Sequence, residues 1–112
     1  MIRVWKAFRF DKNGRLRFLF HTYKGSSLVP IGRWLETKSV WVRDGKSRKY
    51  RSGFHFFLDV DDAEKFITLT KGKYVMIEVD VDIMREKPNS STKSWLAKRL
   101  HVPCCPVVLL KR

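Results

Sequence analysis

The sequence is short of acids and contains no long apolar run. Only 11 of its 112 residues are Asp or Glu, against 24 Lys or Arg, which gives a formal net charge of +13. No apolar run approaches the roughly twenty residues that span a bilayer. The first ten residues, MIRVWKAFRF, alternate with charges and lack the continuous apolar stretch of a signal peptide. We therefore expect a cytoplasmic protein without a membrane partner.

Cysteine is also scarce, and catalytic motifs are missing. The two cysteines, Cys104 and Cys105, are adjacent and flanked by prolines, a spacing that fits neither a disulfide framework nor a zinc pair. They are predicted to be free thiols in a reducing compartment. The sequence has no GxSxG, P-loop or dinucleotide-binding glycine motif. It predicts no catalytic residue, metal or cofactor, and it favours a binding protein over an enzyme.

The apolar content is high enough for one folded domain over residues 1–112. Apolar residues make up 44% of the chain and aromatic residues 13%, which supplies the burial that folding requires. Residues 2–10 alternate between an apolar face and a face that carries Arg3 and Arg9, and residues 15–22 repeat the pattern with Arg15 and Arg17. Asp11–Gly14 between them is a turn signal. Lys6 breaks the alternation. The pattern predicts a hairpin with one basic face.

The rest of the pattern predicts an α+β fold, mostly antiparallel sheet of about five to seven short strands with one short helix near residues 61–69. Further strands are expected at 40–43, 53–58, 73–83 and 107–110. The helix follows an aspartate-rich segment, where acids cap and stabilise a first turn. Residues 93–102 fit either a helix or a strand, and the turn-like loop before them favours the strand.

The positive charge is concentrated in the first half of the chain. Residues 1–53 hold fourteen Lys or Arg against three acids, whereas residues 54–112 hold ten against eight. Such a local excess repels itself and attracts phosphates and other anions.

Two sets of residues are candidates for binding an anion. The first is the basic and aromatic face of the predicted hairpin, formed by Arg3, Trp5, Arg9, Arg15, Arg17 and His21. Guanidinium groups bind phosphate oxygens, and an aromatic ring among them can stack on a base. The alternative is a solvated face whose cations pair with Glu78, Asp80 and Asp82 on a neighbouring strand.

The second set is a basic arm that follows the turn signal Asp44-Gly45. It consists of Arg43, Lys46, Arg48, Lys49, Tyr50 and Arg51. Such an arm can attract an anionic ligand, although charge runs of this kind are often exposed and energetically neutral.

His55 is a third candidate. It lies among alternating aromatic residues in GFHFFL, just before the acidic segment. Its ring could donate to a phosphate or exchange a proton near neutral pH, and the alternative is a core histidine bonded to a backbone carbonyl.

Part of the sequence resembles a group of phage proteins. The segment from Tyr50 to Phe57, followed by Asp62-Ala63, together with LFHTYKG near residue 19, resembles small phage and prophage proteins of unknown function that contain an SGFHxF…DA segment. The resemblance implies a phage-encoded accessory protein in the host cytoplasm that acts on host defence or nucleic-acid machinery. It assigns no activity and no functional residue.

These observations lead to three hypotheses. The first is a non-catalytic protein that captures nucleic acid or an anionic nucleotide through its basic and aromatic sheet face, as a counter-defence or regulatory factor. The second is an inhibitor that docks on an acidic or nucleic-acid-binding host protein. The third is a small nuclease or nucleotide hydrolase that uses His55. Small sheets with exposed edges often dimerise, so each hypothesis is compatible with a homo-oligomer.

Overall fold

The chain folds into a curled antiparallel sheet with one helix on its outer side. The structure is a computed structural model that describes residues 1–19, 22–38, 41–43, 49–51, 53–69, 74–86, 94–104 and 108–111. The side chains of residues 41–43, 49–51, 69 and 108–111 are outside this description. In chain order the elements are β1 (Ile2–Phe10), β2 (Leu16–Phe18), β3 (Trp34–Glu36), β4 (Trp41–Arg43), β5 (Lys49–Arg51), β6 (Phe54–Phe56), α1 (Val60–Leu69), β7 (Val75–Glu86), β8 (Trp95–His101) and β9 (Val108–Lys111).

Seven of these strands form one sheet. Its order is β2-β1-β7-β8-β3, and β6 and β9 pair in addition with β8 and β7. In the described residues β4 and β5 pair only with each other. The predicted α+β class is confirmed, as are the helix, found as α1, and the strand interpretation of residues 93–102, found as β8. None of the described helical residues forms a span long and apolar enough to cross a membrane.

The sheet curls until its two ends meet beside Trp5. The Trp5 amide donates to the Phe57 carbonyl at 3.0 Å, and the Phe57 amide donates to the Trp5 carbonyl at 2.7 Å. Since β6 also pairs with β8, the path from β1 through β7, β8 and β6 returns to β1. We call the contact between Trp5 and Phe57 the seam. It gives the sheet a closed interior and an outer face.

The apolar residues predicted to share a strand face do line the interior. On β1 these are Ile2, Val4 and Phe8, and on β7 they are the odd-numbered residues from Val75 to Val81. Phe18 stacks on Phe54 across the interior, with ring centroids 6.0 Å apart. The period-two pattern therefore gave the correct inward face for most of both long strands. It failed at one end of each, where Phe10 is 44% and Ile83 54% exposed.

Helix α1 covers the middle of the outer face. Asp59 caps it, because the Asp59 carboxylate accepts a hydrogen bond from the Asp61 amide at 2.8 Å. Ala63 and Ile67 of α1 pack with Ala7 and Met76 of the sheet. The helix thus leaves the two ends of β1's outer face uncovered.

Lys6 is buried in the interior and bonded across the seam. Its side chain ends 5.6 Å from the centroid of the Phe8 ring and 5.9 Å from that of Phe18, and the residue is 3% exposed. Lys6 Nζ donates a hydrogen bond to the His55 carbonyl at 2.7 Å, which ties β1 to β6. Burial disfavours the charged ammonium and lowers the pKa of Lys6 from 10.5 to about 7.

The first prediction concerns Lys6 and pH. The unfolded chain keeps the Lys6 proton up to its ordinary pKa, whereas the folded protein loses it near pH 7, so stability should rise between about pH 7 and 10. Lys6→Met removes the buried charge but leaves the His55 carbonyl without its donor. We expect it to raise the free energy of unfolding at pH 6 by about 2 kcal/mol.

Urea unfolding at pH 6, 7.5 and 9 measures both effects. Lys65→Met, on the exposed side of α1, serves as the matched control, and it should retain the wild-type pH dependence. Equal slopes of stability against pH in wild type and Lys6→Met would contradict the assignment.

Candidate anion-binding surface

The turn between β1 and β2 is organised by one carboxylate. Asp11 Oδ1 accepts hydrogen bonds from the amides of Asn13 and Arg15, both at 2.9 Å. Gly14 has a φ of +78°, a conformation that glycine adopts without strain. These contacts fix the end of the hairpin, so the cations next to the turn have a defined position.

Asp11 also binds two of the hairpin arginines. Its Oδ2 lies 3.2 Å from Arg15 Nε and 3.0 Å from Arg17 Nε. Hydrogen bonds from the Arg15 amide and the Arg17 side chain outweigh desolvation and lower the pKa of Asp11 to about 2. Asp11 therefore stays ionised throughout the physiological pH range and holds both guanidinium groups near the turn.

The hairpin still carries an excess of positive charge. Arg9 lies directly opposite Arg17 in the β1–β2 register, and within the described part of the chain it has no ion pair. Lys12 is exposed in the turn. Residues 9–17 thus contain one carboxylate and four cations, of which two contact that carboxylate. We call Arg9, Lys12, Arg15 and Arg17 the cationic hairpin.

The predicted basic arm contains a second hairpin. Strands β4 and β5 are antiparallel, and Arg43 lies opposite Lys49, Val42 opposite Tyr50, and Trp41 opposite Arg51. Residues 41–51 contain five Lys or Arg and a single acid, Asp44. Arg48 and Lys46 lie outside the described residues, and only the backbone is described for Arg43, Lys49, Tyr50 and Arg51.

Arg3 has a different environment from the other candidate arginines. Its Nε donates to Asp80 Oδ1 at 2.9 Å, its Nη2 approaches Asp80 Oδ2 at 3.3 Å, and Glu78 lies 3.5 Å from Nε. The Asp80 side chain is only 6% exposed. For Arg3, the structure therefore shows the alternative in which a cation of the face pairs with acids of a neighbouring strand.

Asp80 also binds a histidine that the sequence did not single out. His101 Nδ1 lies 3.0 Å from Asp80 Oδ2, and the His101 ring contacts Trp34, with centroids 5.5 Å apart. The hydrogen bonds from Arg3 and then His101 lower the pKa of Asp80 despite its desolvation. The register aligns Arg3, Asp80, His101 and Trp34 in one row across four strands.

The charges in this row and next to it are nearly balanced. Arg3 contacts both Asp80 and Glu78, and Arg99 approaches Asp82 at 3.5 Å, so two arginines pair with the three carboxylates that alternate along β7. The excess of positive charge therefore lies at the other end of β1, at the cationic hairpin, and not along the whole outer face.

The aromatic and histidine candidates do not belong to the cationic hairpin in the described residues. Trp5 is half-buried and packs with the residues beneath α1. His55 is half-buried between Phe54 and Phe56, and its carbonyl accepts the hydrogen bond from Lys6 close to the seam. His21 is outside the described residues. In the described ranges, no group of three or more His, Cys, Asp or Glu is arranged to hold a metal ion.

Comparison with known proteins adds no family to these observations. No protein-family model, no curated protein and no solved structure matches the chain. The resemblance to small phage proteins, and the counter-defence role that it implies, stay predictions.

The second prediction concerns Asp80. Asp80→Asn removes the charge that holds Arg3 and His101, and we expect the free energy of unfolding at pH 7 to fall by about 1–2 kcal/mol. Because the folded-state pKa of Asp80 is lowered, this advantage of the wild type exists above the ordinary carboxyl pKa. It is lost as the pH falls through the folded value.

Chemical unfolding at pH 7 and pH 3 checks this expectation. Glu36→Gln, which removes an exposed carboxylate 3.6 Å from Lys98 Nζ, is the control and should change little. A deficit in Asp80→Asn that is as large at pH 3 as at pH 7 would argue against an ionic role.

Proposed function

We propose that this protein is a non-catalytic binder of nucleic acid or of an anionic nucleotide, and that it binds through the cationic hairpin and the β4–β5 arm. The observation that carries the proposal is a pair of directly opposed cations in each hairpin, Arg9 opposite Arg17 and Arg43 opposite Lys49. The outer end of the sheet around Arg3 is left out of the proposed surface because its charges are balanced.

Opposed like charges are unfavourable in a sheet. Residues directly opposite on antiparallel strands have their Cβ atoms about 5 Å apart, and like charges in such pairs destabilise the strands. Asp11 relieves this repulsion for Arg17 and Arg15, but the cationic hairpin keeps an excess. A phosphate bound by the opposed cationic side chains would remove the remaining repulsion and release counterions from the nucleic acid.

The shape of the two hairpins also suits this ligand. A two-stranded β-ribbon fits the major groove of B-form DNA, and a basic groove can follow the backbone of a single strand. In the described residues the β4–β5 hairpin makes no strand pairing with the main sheet and forms a two-stranded ribbon of its own. Phosphate contacts of this kind determine affinity more than sequence preference.

The third prediction is a steep dependence of affinity on salt. We expect the binding constant for a fluorescent 20-nucleotide DNA, single-stranded or duplex, to fall linearly with salt on a double-logarithmic plot. Each phosphate contact that a mutation removes should reduce the slope by about one. Arg15→Glu/Arg17→Glu should lose most of the binding. Unchanged affinity in this double variant would reject the cationic hairpin as the site.

The fourth prediction separates binding from folding. Arg9→Glu places opposite charges across the β1–β2 pair and should stabilise the hairpin by about 0.2–1 kcal/mol, while it weakens DNA binding. Lys65→Glu makes the same change of charge on α1 and is the control. Fluorescence anisotropy and thermal unfolding of both variants measure the two quantities. Equal loss of affinity in both variants would mean that only the net charge matters.

A further inference from the structure

An apolar cavity opens beside the cationic hairpin. Its volume is about 350 Å³, and its lining includes Phe10, Arg15, Leu28, Ile31, Ile77 and Cys104. Gly14 and Leu16 also line it, so the turn that carries the cations forms one wall. Cavities of about 300–1,000 Å³ with an apolar lining and few polar groups accommodate small ligands.

The rim of the cavity exposes large apolar side chains. Phe10 is 44% exposed, Leu28 37% and Ile31 42%. Removal of apolar surface from water is favourable, so a ligand that covers these three side chains together is favoured. Phe10 is an aromatic residue of this lining, and a planar ring system can stack on an aromatic side chain.

The lining also contains a cysteine that packs closely on a glycine. Gly32 has a φ of +80°, and its amide donates to the Val102 carbonyl at 2.8 Å. A Cβ atom at this position would lie 2.6 Å from Cys104 Sγ, so the cysteine side chain occupies the space that a larger residue would need. Cys104 is exposed and lines the cavity, so a thiol reagent can report whether the cavity is occupied.

Arg15 is the charged residue of this lining. Its ion pair with Asp11 engages Nε, and its side chain is 53% exposed. A guanidinium group can bind a phosphate through its other nitrogens. The site thus combines an apolar chamber for one ring system with a cation at its edge.

We infer that this cavity receives the nucleobase of a bound nucleotide, stacked on Phe10, while Arg15 holds the phosphate of the same nucleotide. The inference rests on the proposed function and adds the part of the ligand that is recognised. The nucleotide is either free or an unpaired unit of a single strand, since a base that is paired and stacked in a duplex must leave the stack before it can enter a pocket.

The first experiment measures alkylation of Cys104 by iodoacetamide, in the Cys105→Ser background, by peptide mass spectrometry. Adenosine 5′-monophosphate should slow the reaction, whereas ribose 5-phosphate at the same concentration should not. If a single-stranded 12-mer also protects Cys104, the ligand is a unit of a strand. If only the mononucleotide protects, the ligand is free. Equal protection by ribose 5-phosphate or by hexyl phosphate would overturn the assignment of the nucleobase.

The second experiment compares two exposed apolar residues. Phe10→Ala should weaken binding of the single-stranded 12-mer at least about fivefold, the lower end of what one base–aromatic stack contributes. Phe10→Tyr should retain it. Leu58→Ala, at a similarly exposed position just before α1, is the matched control and should bind like the wild type. Thermal unfolding verifies that each variant is folded.

The outcomes separate the two proposals. If the wild type binds single strands with the expected salt dependence but Phe10→Ala binds equally well, the cavity inference is wrong and the proposed function stands. If the wild type binds neither nucleotides nor DNA at low salt, the proposed function fails and the inference fails with it.

Discussion

Two backbone hydrogen bonds between Trp5 and Phe57 hold the curled sheet closed, and the division of its outer face depends on them. β1 must pair with β7 along one edge and with both β2 and Phe57 along the other. Only two residues separate Phe57 from the start of α1, so the helix lies on the outer face over Ala7 and Met76. This arrangement divides the outer face into two parts with different electrostatic character.

At one part, around Arg3, cations and carboxylates of neighbouring strands neutralise each other. The bidentate contact of Arg3 with Asp80 needs the register of β1 against β7, which is set by residues 77 positions apart in the sequence. At the cationic hairpin there are fewer carboxylates than cations. Asp11 is shared by two arginines, and Arg9 has no carboxylate partner in the described residues. The excess of positive charge on the described outer face is therefore local, and it arises from the pairing of charges as much as from composition.

The sequence was sufficient for the elements whose signal is local. Alternation in residues 2–10 and 73–83 identified β1 and β7 and their buried faces, and the aspartates before Ala63 identified the start of α1. It could not show that α1 would cover Trp5, because the choice of which outer residues a helix covers depends on the path of the closed sheet. Lys6 stood out as an exception to the alternation, but its bond to the His55 carbonyl depends on the seam. The pair of Asp80 and His101 was missed for the same reason.

If the proposed function holds, ligand binding and local order would be coupled in the β4–β5 hairpin. Two strands of three residues each are marginal in water without a third strand or an apolar surface to pack on, and here a pair of cations opposes the pairing further. A bound polyanion would stabilise the closed ladder by mass action. The amides of β4 and β5 would then exchange with solvent more slowly in the complex than in the free protein, so part of the binding free energy is spent on local folding and the affinity depends on the ladder as well as on the charges.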